Sequence, residues 1–428
     1  MSAPRPESPR AYRGRLLTPA AAPADGAGSP GAEVRYLDDA LLVVGGDGRV
    51  VRAAPFAPGA FAGPVLDLRP AVLMPGFIDA HVHFPQTRVI GSASGPLLQW
   101  LERSVFPEEA RFRDDGYAAL VAGEFTGRLL ASGTTTCVVF SSSDAAATDR
   151  LFRALQRAGL RGIAGLTLMD QRCPAELCVP RDEAIAAARD LVQRWHGEGS
   201  GLLEFAITPR FAPTCSRALM EAAARLAADH GLLVQTHVAE TPAEGEAALR
   251  EHPWARDYID IYDRVGLLSG RAVLAHGIHL SPREWDRIAA AGAALVHCPD
   301  SNFFLGSGRM RLAEARARAV PVALGSDVGA GRSFDMRRSM SSAFDNALCL
   351  GDRVTPAELF VTATQGAADA IGLGRVIGSL EPGKEADFLA IRLPEYVHGE
   401  AETLQHLVFA PEAAAIQRVF VRGKLVYP

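Results

Sequence analysis

The chain has 428 residues, 48% hydrophobic and 22% charged, a balance that excludes an intrinsically disordered protein. Its length exceeds one compact core of ordinary size, so a large barrel-type domain with a smaller one attached, or two domains, is expected. A formal net charge of −5 offers no basic footprint for nucleic acid and suits a small neutral substrate.

Residues 1–10, rich in Pro, Ser and Arg, are read as a disordered lead-in. No secretory apolar core follows them, and no apolar run in the sequence is long enough to span a membrane, which makes the cytoplasm the default. Glu33–Leu37 and Ala40–Val44 read as short strands, and Gly45-Gly46-Asp47-Gly48 turns the second into Arg49–Arg52 as a hairpin. The far end is similar, with Asp387–Ile391, Arg418–Arg422 and a turn at Gly423-Lys424. Strand-rich ends around a long middle predict that the two ends pair into one small β domain.

The middle alternates apolar strands with Ala/Leu/Arg-rich helical stretches such as Ala218–Ala228. The predicted strands are Gly76–Ala80, Thr135–Val139, Gly162–Leu166, Glu204–Thr208, Leu233–Thr236, Ala272–Ala275, Ala294–His297 and Val322–Gly325. Eight strands in that rhythm give an α/β fold, and an open doubly wound sheet would alternate in the same way. The position of the chemistry decides for a closed barrel.

Histidine is scarce, at 11 residues, yet His81, His83, His237, His276 and His297 all fall at strand ends. His81 and His83 form H-x-H, and the two-residue period of a strand points both rings to one face. Asp327 follows Leu324-Gly325-Ser326, so nitrogen and carboxylate donors sit at the tips of separate strands, which in a (β/α)₈ barrel converge at the active-site mouth. Imidazoles with a carboxylate and no thiolate suit Zn²⁺, with Fe²⁺ and Mn²⁺ compatible. His81, His83, His237 and Asp327 would hold the ion.

The only lysines, Lys384 and Lys424, lie beyond the barrel, so a bridging modified lysine is excluded and one ion per subunit is expected. Glu240, three residues after His237, is placed to give a proton without binding the metal. His276 either ligates the ion or sits beside its hydroxide, and the roles of His279 and His297 stay open. Six cysteines without a C-x-x-C pair are read as free buried thiols. His398-Gly399-Glu400 has the H-x-E spacing of short zinc deaminases, but no P-C-x-x-C accompanies it, so it is read as chance.

Pro75-Gly76-Phe77-Ile78-Asp79-Ala80-His81-Val82-His83 resembles the opening motif of the amidohydrolase superfamily, a group of metal-dependent hydrolases. Thr236–Glu240, Ala275-His276-Gly277, His297–Asn302, Gly325-Ser326-Asp327 and Gly378–Asp387 extend the resemblance over nearly the whole chain. Narrower stretches resemble its guanine deaminase family: His83-Phe84-Pro85-Gln86, Leu97–Glu102 leading to Phe106-Pro107-Glu108, Ile207–Phe211, Ser301–Gly308 and Gly325–Gly331.

The resemblance implies a TIM-like barrel over residues 73–380 and a β-sandwich made by 11–72 and 381–428. It further implies one zinc and a homodimer, while charge and hydropathy leave no nucleic-acid or membrane partner expected. Carried over by position, His81, His83, His237 and Asp327 match zinc ligands, and Glu240 and Asp327 match proton shuttles. Gln86, Arg210 and Phe211 match purine-binding positions. The implied reaction is hydrolysis of guanine to xanthine and ammonia, by attack of zinc-bound hydroxide at C2. Glu240 would protonate N3, and Asp327 would relay the hydroxide proton toward the amine. Sibling activities toward 8-oxoguanine, cytosine, adenosine derivatives or triazines are the alternatives on one scaffold, and a non-catalytic assembly protein is the alternative of another class. The stretch Leu97–Glu109 is a lid candidate.

Overall fold

In a computed structural model of the chain, residues 10–20, 33–93 and 95–428 are described. The expected lead-in over 1–10 lies outside them, apart from Arg10, which opens the first strand. Four strands come first: β1 (Arg10–Pro19), β2 (Val34–Val44), β3 (Val50–Pro55) and β4 (Val65–Pro75). The middle carries β5 (Phe77–His83), β6 (Thr134–Phe140), β7 (Arg161–Gly165), the two-residue β8 (Thr167–Leu168) and β9 (Leu203–Pro209). It continues with β10 (Leu233–Val238), β11 (Ala272–His276), β12 (Ala294–His297) and β13 (Val322–Leu324). The last three are β14 (Phe388–Arg392), β15 (Ala415–Val421) and β16 (Lys424–Tyr427).

The two ends of the chain build one mixed sheet in the order β16-β15-β14-β4-β1-β2-β3. Its shared core includes Tyr12, Leu16, Leu42, Leu73, Phe388 and Phe420. Tyr12 sets its ring edge-on to Phe388 at 5.0 Å and to Phe420 at 5.2 Å, a favoured aromatic geometry. The two strands expected within 33–44 are one continuous strand, β2, because β1 pairs with it on both sides of Asp38 and Asp39, which fall at the irregularity opposite Arg15. By contact density this unit takes the described residues through Ile78, Leu129–Thr135 and Val354–Pro428.

The second unit, Asp79–Arg128 and Thr136–Arg353, carries the body of the barrel. All eight predicted strands are present, in the parallel order β13-β12-β11-β10-β9-β7-β6-β5. Strands such as β6 (TTTCVVF) are buried at every position, as parallel strands covered on both faces must be. Helices between them begin and end where caps demand. Over Arg217–His230, Ser216 accepts from the Leu219 amide at the start, and Gly231 adopts φ 63° at the end. The ring shuts at the carboxyl ends of β13 and β5, where the Asp327 amide donates to the His81 carbonyl at 2.8 Å and the His83 amide to that of Val328 at 3.0 Å. The fold is therefore a (β/α)₈ barrel accompanied by a β-sandwich domain. Among the described residues, no helix is long and apolar enough to cross a membrane.

Candidate active site

His81 and His83 leave β5 on the same side, as the strand period requires, and His237 stands at the tip of β10. The Nε2 atoms of His81 and His83 are 3.2 Å apart, and those of His83 and His237 are 3.1 Å apart. Asp327 Oδ1 lies 3.2 Å from His81 Nε2 and 3.3 Å from His83 Nε2. These four donors lie within 4.8 Å of one another. Strands β5 and β10 and the turn after β13 thus bring together residues 246 positions apart.

The donor set fits a zinc ion. His237 Nδ1 lies 2.6 Å from the Arg210 carbonyl, which only accepts, so Nδ1 carries the proton and Nε2 is bare. Burial lowers the His83 imidazole to about 4, and burial with the neighbouring His81 drives His237 well below its ordinary value. Neutral rings with lone pairs crowded onto one point, beside a carboxylate, match a divalent cation with nitrogen and oxygen ligands.

The tips are held in place by strain and by close packing. Ala239, His276 and Asp327 adopt φ of 47°, 73° and 50°, in the left-handed region that costs a side-chain-bearing residue energy. At Gly325 a Cβ would meet the His81 Cβ at 2.7 Å, so only glycine lets the end of β13 approach the metal ligand. Asp79, fully buried on β5, accepts from the Ser326 amide at 2.9 Å and the Ser326 hydroxyl at 2.5 Å, and from the His81 amide at 3.3 Å. One carboxylate therefore staples the residue before Asp327 to the strand of the H-x-H pair.

Beside the donors stand His276 and Glu240. His276 is not among the four mutually close donors. Its Nδ1 meets Asn302 Oδ1 at 2.9 Å, and its Nε2 lies 3.4 Å from Glu240 Oε2 and 3.8 Å from Asp327 Oδ2. Glu240 Oε1 accepts from Ser307 Oγ at 2.8 Å. Burial first, and then the charge of Asp327, push the Glu240 carboxyl up to about 8, so it holds its proton at neutral pH. Ser301 donates to Asp327 Oδ2 at 2.5 Å. His279 Nε2 meets the Ser307 carbonyl at 2.8 Å, so it braces the residue that holds Glu240. His297 is fully buried with neither ring nitrogen bonded, and burial, with His276 next, lowers it to about 3.

A pocket opens over this floor, lined by His83, Gln86, Leu97, Leu101, Arg210, Phe211, His237, Glu240, His276, Leu305 and Asp327. Every predicted site residue is therefore in the lining except His81, which is held within the donor cluster. Gln86 and Arg210 do not face the cavity alone. Gln86 Nε2 donates to Glu109 Oε1 at 3.1 Å, Arg210 Nη1 to Glu109 Oε2 at 2.6 Å, and the Gly329 amide to Gln86 Oε1 at 3.2 Å. The Arg210 guanidinium lies 5.1 Å from the centre of the Phe106 ring. The lid candidate forms helical turns over Leu97–Trp100, Leu101–Val105 and Phe106–Ala110, the middle one widened to a π turn of the kind often found near functional sites.

The sequence assigns no role to Glu109, Asn302, Ser307 or Ser301, because single polar residues in short helices and the loops after them carry no spacing signal. Burial corrects one minor expectation: of six free cysteines, Cys137, Cys215 and Cys298 are buried, Cys173 and Cys178 are half-buried, and Cys349 is exposed.

A barrel with a three-histidine, one-aspartate cluster at its carboxyl mouth defines a metal-dependent hydrolase. Residues 72–426 match the model of the Amidohydrolase family. The probable guanine deaminase of Deinococcus radiodurans is 38% identical, covering 97% of this chain and 98% of that one. The E. coli guanine deaminase structure superposes with a TM-score of 0.91 at 32% identity, covering 98% and 99%. That of C. acetobutylicum, solved with guanine bound in its active site, gives 0.90 at 27% identity, covering 98% and 100%. The chain belongs to the amidohydrolase superfamily and, within it, to the guanine deaminase family.

Proposed function

We propose that this chain hydrolyses guanine to xanthine and ammonia at a single zinc ion held by His81, His83, His237 and Asp327. The observation that carries the reading is the donor cluster opening onto a cavity that also presents a protonated carboxyl, Glu240, and a guanidinium, Arg210. When bound, zinc lowers the pKa of a water to near neutrality and so supplies the nucleophile for C2.

The protein's own groups manage binding and protons. Ser307 occupies Glu240 Oε1, which leaves Oε2 to carry the proton that passes to N3, next to the carbon under attack. Asp327 Oδ2 takes the proton released as water adds and delivers it to the departing amine; as the C2–N bond breaks and the carbonyl forms, the C2 hydroxyl proton returns to Glu240. The Asn302 amide oxygen keeps the His276 proton on Nδ1, so Nε2 faces the two carboxyl groups as an acceptor and steadies the exchange. Arg210 donates to the O6 carbonyl, Gln86 offers its second amide hydrogen, and Phe211 with Leu101 and Leu305 covers the ring faces. The chain as a homodimer, implied by its family, and in the cytoplasm, where six unpaired cysteines stay reduced, belongs to the same proposal.

Ammonia release over a panel of guanine, 8-oxoguanine, cytosine, adenosine and an aminotriazine tests it. Guanine should exceed each of the others in kcat/KM by at least about 100-fold, since a site built for particular polar groups rejects analogues that leave them unpaired. Equal or better turnover of another member would replace guanine as the substrate.

A further inference from the structure

We infer that Glu109 is the residue that positions the recognition edge of the pocket: it locks Gln86 and Arg210 in place and cancels the guanidinium charge, so that the pocket holds a neutral base and turns away an anionic one. The inference rests on the guanine reading above and deepens it.

Glu109 sits in the short turn Phe106–Ala110 and is 4% exposed, as deeply buried as the residues it binds, Gln86 at 2% and Arg210 at 3%. Each carboxylate oxygen has its own partner, Oε1 the Gln86 amide and Oε2 the Arg210 guanidinium. Gln86 is fixed at its other end by the Gly329 amide, so its nitrogen and oxygen cannot exchange places. Arg210 is held by a buried ion pair at 2.6 Å with the Phe106 ring on its flank, and both Phe106 and Glu109 come from one turn. The two cavity residues that read the base are thus oriented by a third that does not line the cavity. In a dry site, an arginine without such a partner would be an uncompensated charge and would draw anions.

That cancellation matters because of what the reaction makes. Replacing the C2 amine with a carbonyl sets N1–H between two carbonyls and N3–H beside one, so the product is a stronger acid than the substrate and becomes an anion on mild alkalinisation. An uncompensated Arg210 would hold that anion. Paired with Glu109, the same guanidinium still donates a directional bond to the carbonyl of a neutral purine, while ionised product gains nothing from it. Glu109 thereby favours substrate over product in one pocket.

The test uses the full-length zinc-loaded protein and its Glu109→Gln and Glu109→Asp variants, with zinc per chain and melting temperature recorded for each. Guanine kinetics are measured beside competitive inhibition by xanthine, at a mildly acidic pH where xanthine is neutral and at an alkaline pH where it is charged. For Glu109→Gln, KM for guanine should rise about 10- to 100-fold with zinc retained. Xanthine should then inhibit about 5-fold or more tightly at the alkaline pH only. Glu109→Asp keeps the charge but shortens the reach, so it should raise the guanine KM without tightening xanthine. A purely structural role would weaken both ligands together, and that result, or an unchanged guanine KM, overturns the inference. Should the Gln variant fail to fold, Glu109→Ala, which also removes the charge, takes its place, and equal losses for guanine and for xanthine at both pH values contradict the inference. Failure of the wild-type chain to convert guanine would instead sink the functional reading.

Discussion

His237 turns its Nδ1 to the backbone carbonyl of Arg210 at 2.6 Å, so the main chain of one pocket residue sets the tautomer of a metal-binding histidine. The side chain of the same residue reaches the other way, to Glu109. The donor cluster and the proposed base-reading side chain therefore meet at the tips of adjacent strands, β9 and β10, but involve different atoms of Arg210.

This separation makes the first prediction. Arg210→Ala keeps the carbonyl and should keep about one zinc per chain, while KM for guanine rises about 10- to 100-fold as a charge-assisted hydrogen bond is lost. Metal content and KM measured on one preparation check it, and joint loss of both would show that the side chain supports the metal centre.

Glu240→Gln removes the proton donor but leaves an amide of the same shape for Ser307 to meet. Zinc content and melting temperature should hold while kcat falls about 10²- to 10⁴-fold. Turnover within a few-fold of wild type would assign the proton to another group.

The pH profile carries its own sign. Burial raises the Glu240 carboxyl to about 8, so the donor form exists below that pH and is lost above it, giving an alkaline limb in kcat/KM. The bound cation opposes the Asp327 charge, which brings the limb to that value or somewhat below it. The Ser307 bond favours the ionised carboxylate, so Ser307→Ala should move the limb upward by about half a pH unit to one. A limb that shifts downward, or does not move, contradicts this assignment.

The donor residues were legible because chemistry and period coincide in them. H-x-H on a strand, and His237, His276 and Asp327 each just past an apolar run, need only the rule that strand tips converge in a barrel. The eight barrel strands were legible for the same reason, each being a short continuous apolar run. β1 and β4 were not, since RAYRGRLLTP and VLDLRPAVLMP mix charges and proline into strands that lie partly exposed. Glu109 was hidden in the other direction. It reads as one more acid in Pro107-Glu108-Glu109, and only the folded chain shows that Glu108 pairs with Tyr117 and Arg111 near the surface while Glu109 turns inward.

Asp79 tests how the metal centre is supported. Asp79→Ala removes the acceptor of three hydrogen bonds within the barrel wall and leaves the Ser326 amide buried without its partner. Stability should fall by about 1–3 kcal/mol, and zinc should bind more weakly because Asp327 and His81 lose their common anchor. Chemical denaturation and zinc titration measure the two effects, and a variant that binds zinc as tightly as wild type would confine Asp79 to folding alone.

The most direct test strips the ion and returns it. Purified chain should carry about one zinc per subunit, lose conversion of guanine when chelated while staying folded, and recover it in proportion to zinc restored up to one equivalent. A chelated, folded chain that converts guanine at the wild-type rate would contradict the account at its root.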